Sequence, residues 1–410
     1  MLWSFLVNVL ANRKKGNTLP NNHYYIINQI LLSAFHLWPY QCSRFIIINH
    51  IINLLLSLSF CFFQLTSFLT YQISMDLLIM VLSYAVPSFI CTIQYCSFCI
   101  KSNAVKQILK DIHNSWSVLK NEMERDIMRK YSFSGQLCTI LLFLCLVINL
   151  ILYAFLQLLP DILNIINPLN ETRPHQTYAV TEYFVDPKQY YYPILCHWLF
   201  SIFFNSSIMI ATTTLHIVYV EHICGMLSVA SYRIEHSIEK HASSNSTDKE
   251  ASVIFQNIST AVELHRKAVQ CSTFLSTTFA LDFFLMVVAS VLSLSLNLMR
   301  LFKAISLLKD VNELISSVLL VGAQLLFMYL DNYYGQKLTD HNNKIFYNAY
   351  NTPWYTVSTK IQKLFLFIMK YTTKTYILNI GNLIMASIEG FAKLISLSIS
   401  YFTVIYSLQR

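Results

Sequence analysis

The chain has 410 residues, of which 55% are hydrophobic and only 12% charged, about half the charge of a typical soluble domain. Its 7 glycines and 9 prolines are too few for a loop-rich β architecture, and apolar runs of spanning length recur, so the composition describes an all-α, polytopic membrane protein. The net charge of +8 does not signal nucleic acid, because the basic residues gather between the apolar runs, as membrane orientation requires.

The apolar start, Met1–Leu10, is followed rather than preceded by Arg13, Lys14 and Lys15. That order is wrong for a cleaved signal peptide and fits an interfacial amphipathic helix. Seven transmembrane helices are expected at Phe45–Leu65, Met75–Ile100, Leu137–Leu159, Pro193–Val220, Phe274–Leu298, Val311–Leu330 and Ile377–Leu408. Of 29 Lys and Arg, 22 fall before the first span or in the segments after the second, fourth and sixth; 6 fall in the alternate segments and at the end. The N-terminus is therefore expected in the cytosol and the C-terminus outside. The sequon Asn170-Glu171-Thr172 then lies outside, where Asn170 is open to glycosylation, while Asn245 and Asn257 face the cytosol. This orientation is inverted relative to G-protein-coupled receptors. No acidic-Arg-aromatic triplet closes the third span and no NPxxY marks the last, so G-protein coupling is disfavoured.

Pro87 is expected to kink the second span. Lys101–Ser132 places Ile108, Ile112, Trp116, Leu119, Met123 and Ile127 at helical spacing, as an amphipathic continuation of its flanking spans. Pro160–Tyr192, rich in Pro, Asn and Tyr, reads as the longest outer loop and a lid. From Ala211 to His241 the fourth span keeps its apolar period beyond the bilayer. With Val253–Cys271 and Tyr334–Tyr371 it is expected to form an intracellular helical anchor bundle, interrupted at Ser243–Asp248.

Cys61, Cys91, Cys96, Cys138 and Cys145 fall inside spans and only Cys196 approaches the outer side, so no external disulfide is evident. His50, His197, His216, His222, His236 and His241 show no zinc-site spacing, and no nucleophile elbow is present. Neither an enzyme nor a cofactor is expected. Near the outer span ends, Ile79, Leu82, Ser83, Asn149, Tyr153, Leu156, His197, Phe200, Phe204, Ser316 and Leu319 are candidates to line a small apolar pocket, though each is also an ordinary core or lipid-facing residue.

The last span carries Glu389, Lys393, Ser396, Ser400, Thr403, Ser407 and Arg410 at alternating spacings of four and three. At 100° per residue these form one stripe. Such a stripe serves close helix packing, or faces water, a partner helix or a solute. Val404 lies about 40° from Ser400 around the helix.

Thr372–Ile405, with Gly381, Ser387, Glu389, Phe391 and the Ser400-Tyr401-Phe402-Thr403-Val404 string, resembles the closing segment of insect odorant receptors, notably the hymenopteran expansions. Tyr334-Gly335-Gln336, Ala349-Tyr350, Pro353-Trp354-Tyr355 and Ala211–His236 resemble that family too. The chain departs from its pattern at Thr375, where a proline is usual, and at Thr213, where an acidic residue is common. The resemblance implies a single seven-span unit. Residues 1–44 would be cytosolic, 45–330 would hold six spans and an outer odorant pocket, 331–376 a cytosolic anchor, and 377–410 the pore-lining helix. It implies a subunit of an odorant-gated non-selective cation channel, tetrameric with the shared odorant receptor coreceptor, in the plasma membrane of olfactory neuron dendrites. In such a channel Val404 matches the constriction residue. Trp354, Tyr350 and Tyr355 are expected at subunit contacts, because large aromatics dominate interface energy. The alternatives are a gustatory receptor, whose Thr-Tyr-x5-Gln-Phe ending is not matched here, and a secondary transporter, for which the halves show no internal repeat.

Overall fold

The computed structural model describes residues 25–41, 45–119, 121–167, 180–239, 248–307, 311–372, 379–380 and 384–409. The helices in order are α1 (Ile26–Ala34), α2 (Ile46–Leu65), α3 (Ser67–Thr70), α4 (Met75–Ile100), α5 (Ser102–Trp116) and α6 (Glu122–Ile166). They continue with α7 (Tyr191–Glu239), α8 (Asp248–Thr278), α9 (Ala280–Leu307), α10 (Val311–Asn351), α11 (Thr359–Thr372) and α12 (Ile388–Leu408). A 3-10 turn, Trp354–Thr356, joins α10 to α11. Among the described residues, seven helical segments are long and apolar enough to cross a membrane: α2 with α3, α4, α6, α7, α9, α10 and α12.

Several expected boundaries move, each for a local reason. The helix of the last span begins at Ile388, not Ile377. Ser387 caps it by accepting the Gly390 N–H at 2.9 Å, an N-cap that fixes where helical backbone starts. Before it, β1 (Asn379–Ile380) pairs antiparallel with β2 (Ile384–Met385), in a segment whose Asn379, Gly381 and Asn382 are turn formers. The sixth span has no end at Leu330, because nothing beyond it breaks helix: α10 runs on to Asn351 and carries the first part of the expected anchor. Pro160 does not open the outer loop, since α6 continues through it to Ile166; neighbouring helices allow proline inside apolar helices. The fifth span starts at Ala280, past Phe279, which is fully buried where α8 ends.

The helix α7 is the mast of the fold. Its middle, from Ile208 to Ala230, is apolar on nearly every side and almost wholly buried, as a helix without a polar face must be. The helix α6 approaches closely at Gly225, where an added Cβ would lie 2.8 Å from Met128 Sδ and the methionine would have to shift. Beyond the apolar spans, α5, the start of α6, the ends of α7 and α10, and α8 and α11 form a projecting bundle. Buried charges join its helices. Arg233 forks onto Glu124 (Nε–Oε1 2.9 Å, Nη2–Oε2 2.8 Å) and also donates to Val118 O and Thr260 O. Lys337 meets Glu221 at 2.6 Å, and Ser134 donates to the same carboxylate at 2.8 Å. Paired and hydrogen-bonded in this way, the charges tolerate burial.

Candidate functional site

The helix α12 has two unlike faces. Gly390, Leu394 and Ser398 are buried, with Leu394 packed among Val291, Leu294, Val321 and Met328 of α9 and α10. Farther along, Phe402, Ile405 and Tyr406 pack on Ile79, Leu296 and Met299, and Phe302 meets the Phe402 and Tyr406 rings at 5.9 and 5.2 Å. The opposite face packs on nothing among the described residues. Glu389, Lys393, Ser396, Ser400, Thr403 and Ser407 are all exposed there, and Val404 is 53% exposed beside them. The hydroxyls donate to their own helix, Ser400 to Ser396 O at 2.9 Å, Thr403 to Ser400 O at 2.7 Å and Ser407 to Val404 O at 2.8 Å. Their lone pairs remain outward. Glu389 and Lys393 pair at 2.8 Å, both largely exposed, a contact that contributes little to stability.

A second constellation lies at the end of the bundle where α7 begins. Phe60, Tyr84, Tyr153, Tyr191, Leu195 and Trp198 form one buried cluster, flanked by Leu319 and Leu320. The Trp198 ring meets Tyr84 and Tyr153 edge-on at 6.4 and 5.8 Å, the geometry aromatic quadrupoles favour. Tyr153 donates to Ser316 O and Tyr191 to Gln157 O, each at 2.9 Å. The Arg300 guanidinium stands 4.7 Å from the Tyr84 ring centre and 3.8 Å from Glu313. The indole N–H of Trp198 and the Ser316 hydroxyl are buried with no hydrogen-bond partner among the described residues. The cluster thus offers aromatic walls and a few polar atoms, the make-up of a small-molecule site.

Of the candidate pocket residues, Tyr153, Ser316 and Leu319 meet in this cluster. Leu156 is buried on α6, and Ser83 is buried with its hydroxyl turned back to Met80 O at 2.9 Å. Ile79 and Leu82 lie instead on the α12 side of α4. Asn149 is half-buried and bonded to Cys145 O, while Phe200 is exposed and stacks on Phe204. His197 belongs to a separate strap. Tyr183 shares a 2.6 Å hydrogen bond with its Nδ1 and stacks at 4.2 Å on Phe63, and Glu182 N–H donates to Phe63 O at 2.8 Å. Burial pushes the Tyr183 phenol up to about 12. The far end of the expected lid is thereby held against α2 and leads into Tyr191. Sequence reasoning missed Tyr84, Tyr191, Trp198 and Arg300. Tyr84 and Trp198 directly follow the chosen Ser83 and His197, an error of one residue that turns a helical side chain by 100°.

In the projecting bundle Tyr350 and Tyr355 are exposed, whereas Trp354 is half-buried against the chain's own core. Asn170 lies outside the described residues. Among the described residues no group of His, Cys, Asp and Glu is arranged to hold a metal ion.

A sequence profile described as 7tm Odorant receptor matches residues 74–399. Among solved structures, the insect olfactory receptor OR5 from Machilis hrabei in complex with eugenol is similar, with a TM-score of 0.72 at 12% identity over 94% of this chain and 97% of that one. A second structure of the same receptor gives a TM-score of 0.71 at 13% identity, covering 97% and 99%. No curated protein matches the sequence.

Proposed function

This chain belongs to the seven-transmembrane odorant receptor family, a receptor rather than an enzyme, and from that premise we propose that it is the odorant-binding subunit of a ligand-gated cation channel. The observation that carries the proposal is the two-sided use of α4. Tyr84 faces the aromatic cluster, whereas Ile79, Leu82 and Val86 face Phe402, Ile405 and Tyr406 of α12. The candidate pocket and the polar helix are therefore one helix apart. The helix α9 repeats the arrangement, with Arg300 against Tyr84 and Leu296 and Met299 against α12.

An apolar odorant taken up among Tyr84, Tyr153 and Trp198 favours whichever packing of α4 and α9 buries it best. That preference reaches α12 only where affinity differs between the two packings. The exposed stripe of Ser396, Ser400, Thr403 and Ser407 then lines a conduit formed with other subunits, the shared coreceptor among them, and Val404 closes it by dewetting. Tyr350 and Tyr355 meet a neighbouring subunit, with Trp354 anchoring the turn from within. The N-terminal side faces the cytosol, the projecting bundle is the intracellular anchor, and the protein works in the plasma membrane of olfactory neuron dendrites.

Whole-cell recording of the chain with and without the coreceptor, against an odorant panel, tests the reading. Odorant-evoked cation current that requires both chains supports it. Val404→Ser should raise ligand-free current or alter ion selectivity while leaving odorant preference intact. An unchanged leak and selectivity moves the constriction elsewhere on α12.

A further inference from the structure

At 1.5 Å per residue, Thr213 lies roughly 22 Å along α7 from Trp198, well away from the aromatic cluster. Around it α4, α7, α8, α9 and α10 and the start of α12 line a partly open cavity of about 80 Å³. Most of its wall is apolar, with Ile217, Val287, Met328 and Leu394 prominent. Two polar atoms in that wall have no hydrogen-bond partner among the described residues. Thr213 is 3% exposed, and its hydroxyl has no hydrogen-bond partner among the described residues. One turn on, the His216 Nε2 is likewise buried without a partner, its ring held by Phe279 and Phe283 with centroids 4.6 and 5.4 Å away. The nearby Gln94 amide is already engaged, by Met286 and by the Thr212 hydroxyl.

Leaving two buried polar atoms unsatisfied costs free energy that a ligand bonding both would restore. We propose that this cavity is a second small-molecule site, taking an uncharged short-chain alcohol of about three to five heavy atoms whose hydroxyl bridges Thr213 Oγ1 and His216 Nε2. The size follows from volume, since an apolar cavity of about 150 Å³ holds benzene and this one is roughly half as large. The chemistry follows from the pair of atoms. A hydroxyl donates and accepts at once, matching a threonine hydroxyl and an imidazole nitrogen in either tautomer. A hydrocarbon leaves both atoms unsatisfied. The largely apolar wall disfavours a charged ligand. So small a ligand binds with a Kd on the order of millimolar. Its alkyl end fills space beneath Leu394, and Ala386, also in the wall, is pressed against Gly335 of α10. Occupancy therefore bears on the seating of α12.

The test is fluorine NMR of millimolar 2-fluoroethanol, an alcohol within this size range, with the full chain in lipid nanodiscs, alone and with its partner subunit. The signal should broaden with the wild type and sharpen again when 1-propanol competes. Thr213→Val, which keeps the side-chain shape, should weaken binding roughly fivefold, the worth of one hydrogen bond, and Val287→Phe, which fills the cavity, should abolish it. Equal broadening with the wild type and Thr213→Val, or no competition by 1-propanol, means lipid partition or water alone and overturns the proposal. Should Val287→Phe fail to reach the membrane, Thr213→Val decides by itself. The readout needs no current, so its failure leaves the channel reading untouched.

Discussion

Ser295 on α9 shares its hydroxyl proton between the Val291 carbonyl at 2.7 Å and the Ser398 carbonyl of α12 at 3.0 Å. Both serines are buried, so this bond joins the last helix to the bundle on its hidden face, directly behind the exposed polar stripe.

Replacing Ser295 by Ala removes that bond at a net cost of about 1 kcal/mol. In the ligand-free protein α12 should then leave its seat more readily, and ligand-free current should rise by roughly fivefold. Recording from oocytes at matched surface expression measures this. A leak equal to wild type would show that the bond does not distinguish the resting from the active packing.

The projecting bundle depends on the fork between Arg233 and Glu124. Arg233→Met strands a buried carboxylate and should destabilise the protein by about 3–5 kcal/mol, seen as lost surface expression and a lower Tm in detergent. Adding Glu124→Gln should restore part of the loss, since the stranded charge then disappears. A double variant as unstable as the sum of the single changes would contradict this.

The bundle should also sense acid through His265. This imidazole, bonded to Asn342 Oδ1 at 3.0 Å, is held below its usual 6.5 by burial, which the Asn342 bond only partly offsets. The folded state thus binds a proton less readily than the unfolded chain. Stability is full above pH 6.5 and declines as the pH falls below it toward the lowered folded value. Thermal unfolding between pH 7.5 and 5.5 should show that loss in wild type and a flatter profile in His265→Gln.

Exposed aromatics at Tyr350 and Tyr355 should matter more for assembly than for folding. Changing both to Ser should reduce recovery of the coreceptor in a pull-down while the chain itself is made and inserted normally. Recovery equal to wild type would remove this face from the subunit contact.

Much of this architecture was legible in the sequence because its signals are periodic. The apolar runs gave seven spanning segments, and the persistence of the period past Val220 foretold the long projection of α7. The stripe from Glu389 to Ser407 was legible for the same reason, and the fold leaves it exposed. Several boundaries were not legible. Pro160 is tolerated inside α6, nothing breaks α10 after Leu330, and apolar composition continues from Ile377 through the β1–β2 ladder, so hydropathy cannot see the Ser387 cap. The aromatic cluster was only half legible. Tyr153, Ser316 and Leu319 were found, but Tyr84 and Trp198 depend on how α4 and α7 are rotated about their axes. That rotation is set by packing with neighbours far apart in sequence.

The claim that the exposed face of α12 lines the conduit is tested most directly by cysteine accessibility. Ser400→Cys and Thr403→Cys, expressed with the coreceptor, would be treated with a charged methanethiosulfonate during odorant-evoked current. Ser398→Cys on the buried face serves as the control. Modification should block current at Ser400 and Thr403 and leave the wild type and the Ser398 variant unaffected. Full current after treatment at Ser400 and Thr403, with both variants at the surface and responsive, would contradict a water-filled path along this face.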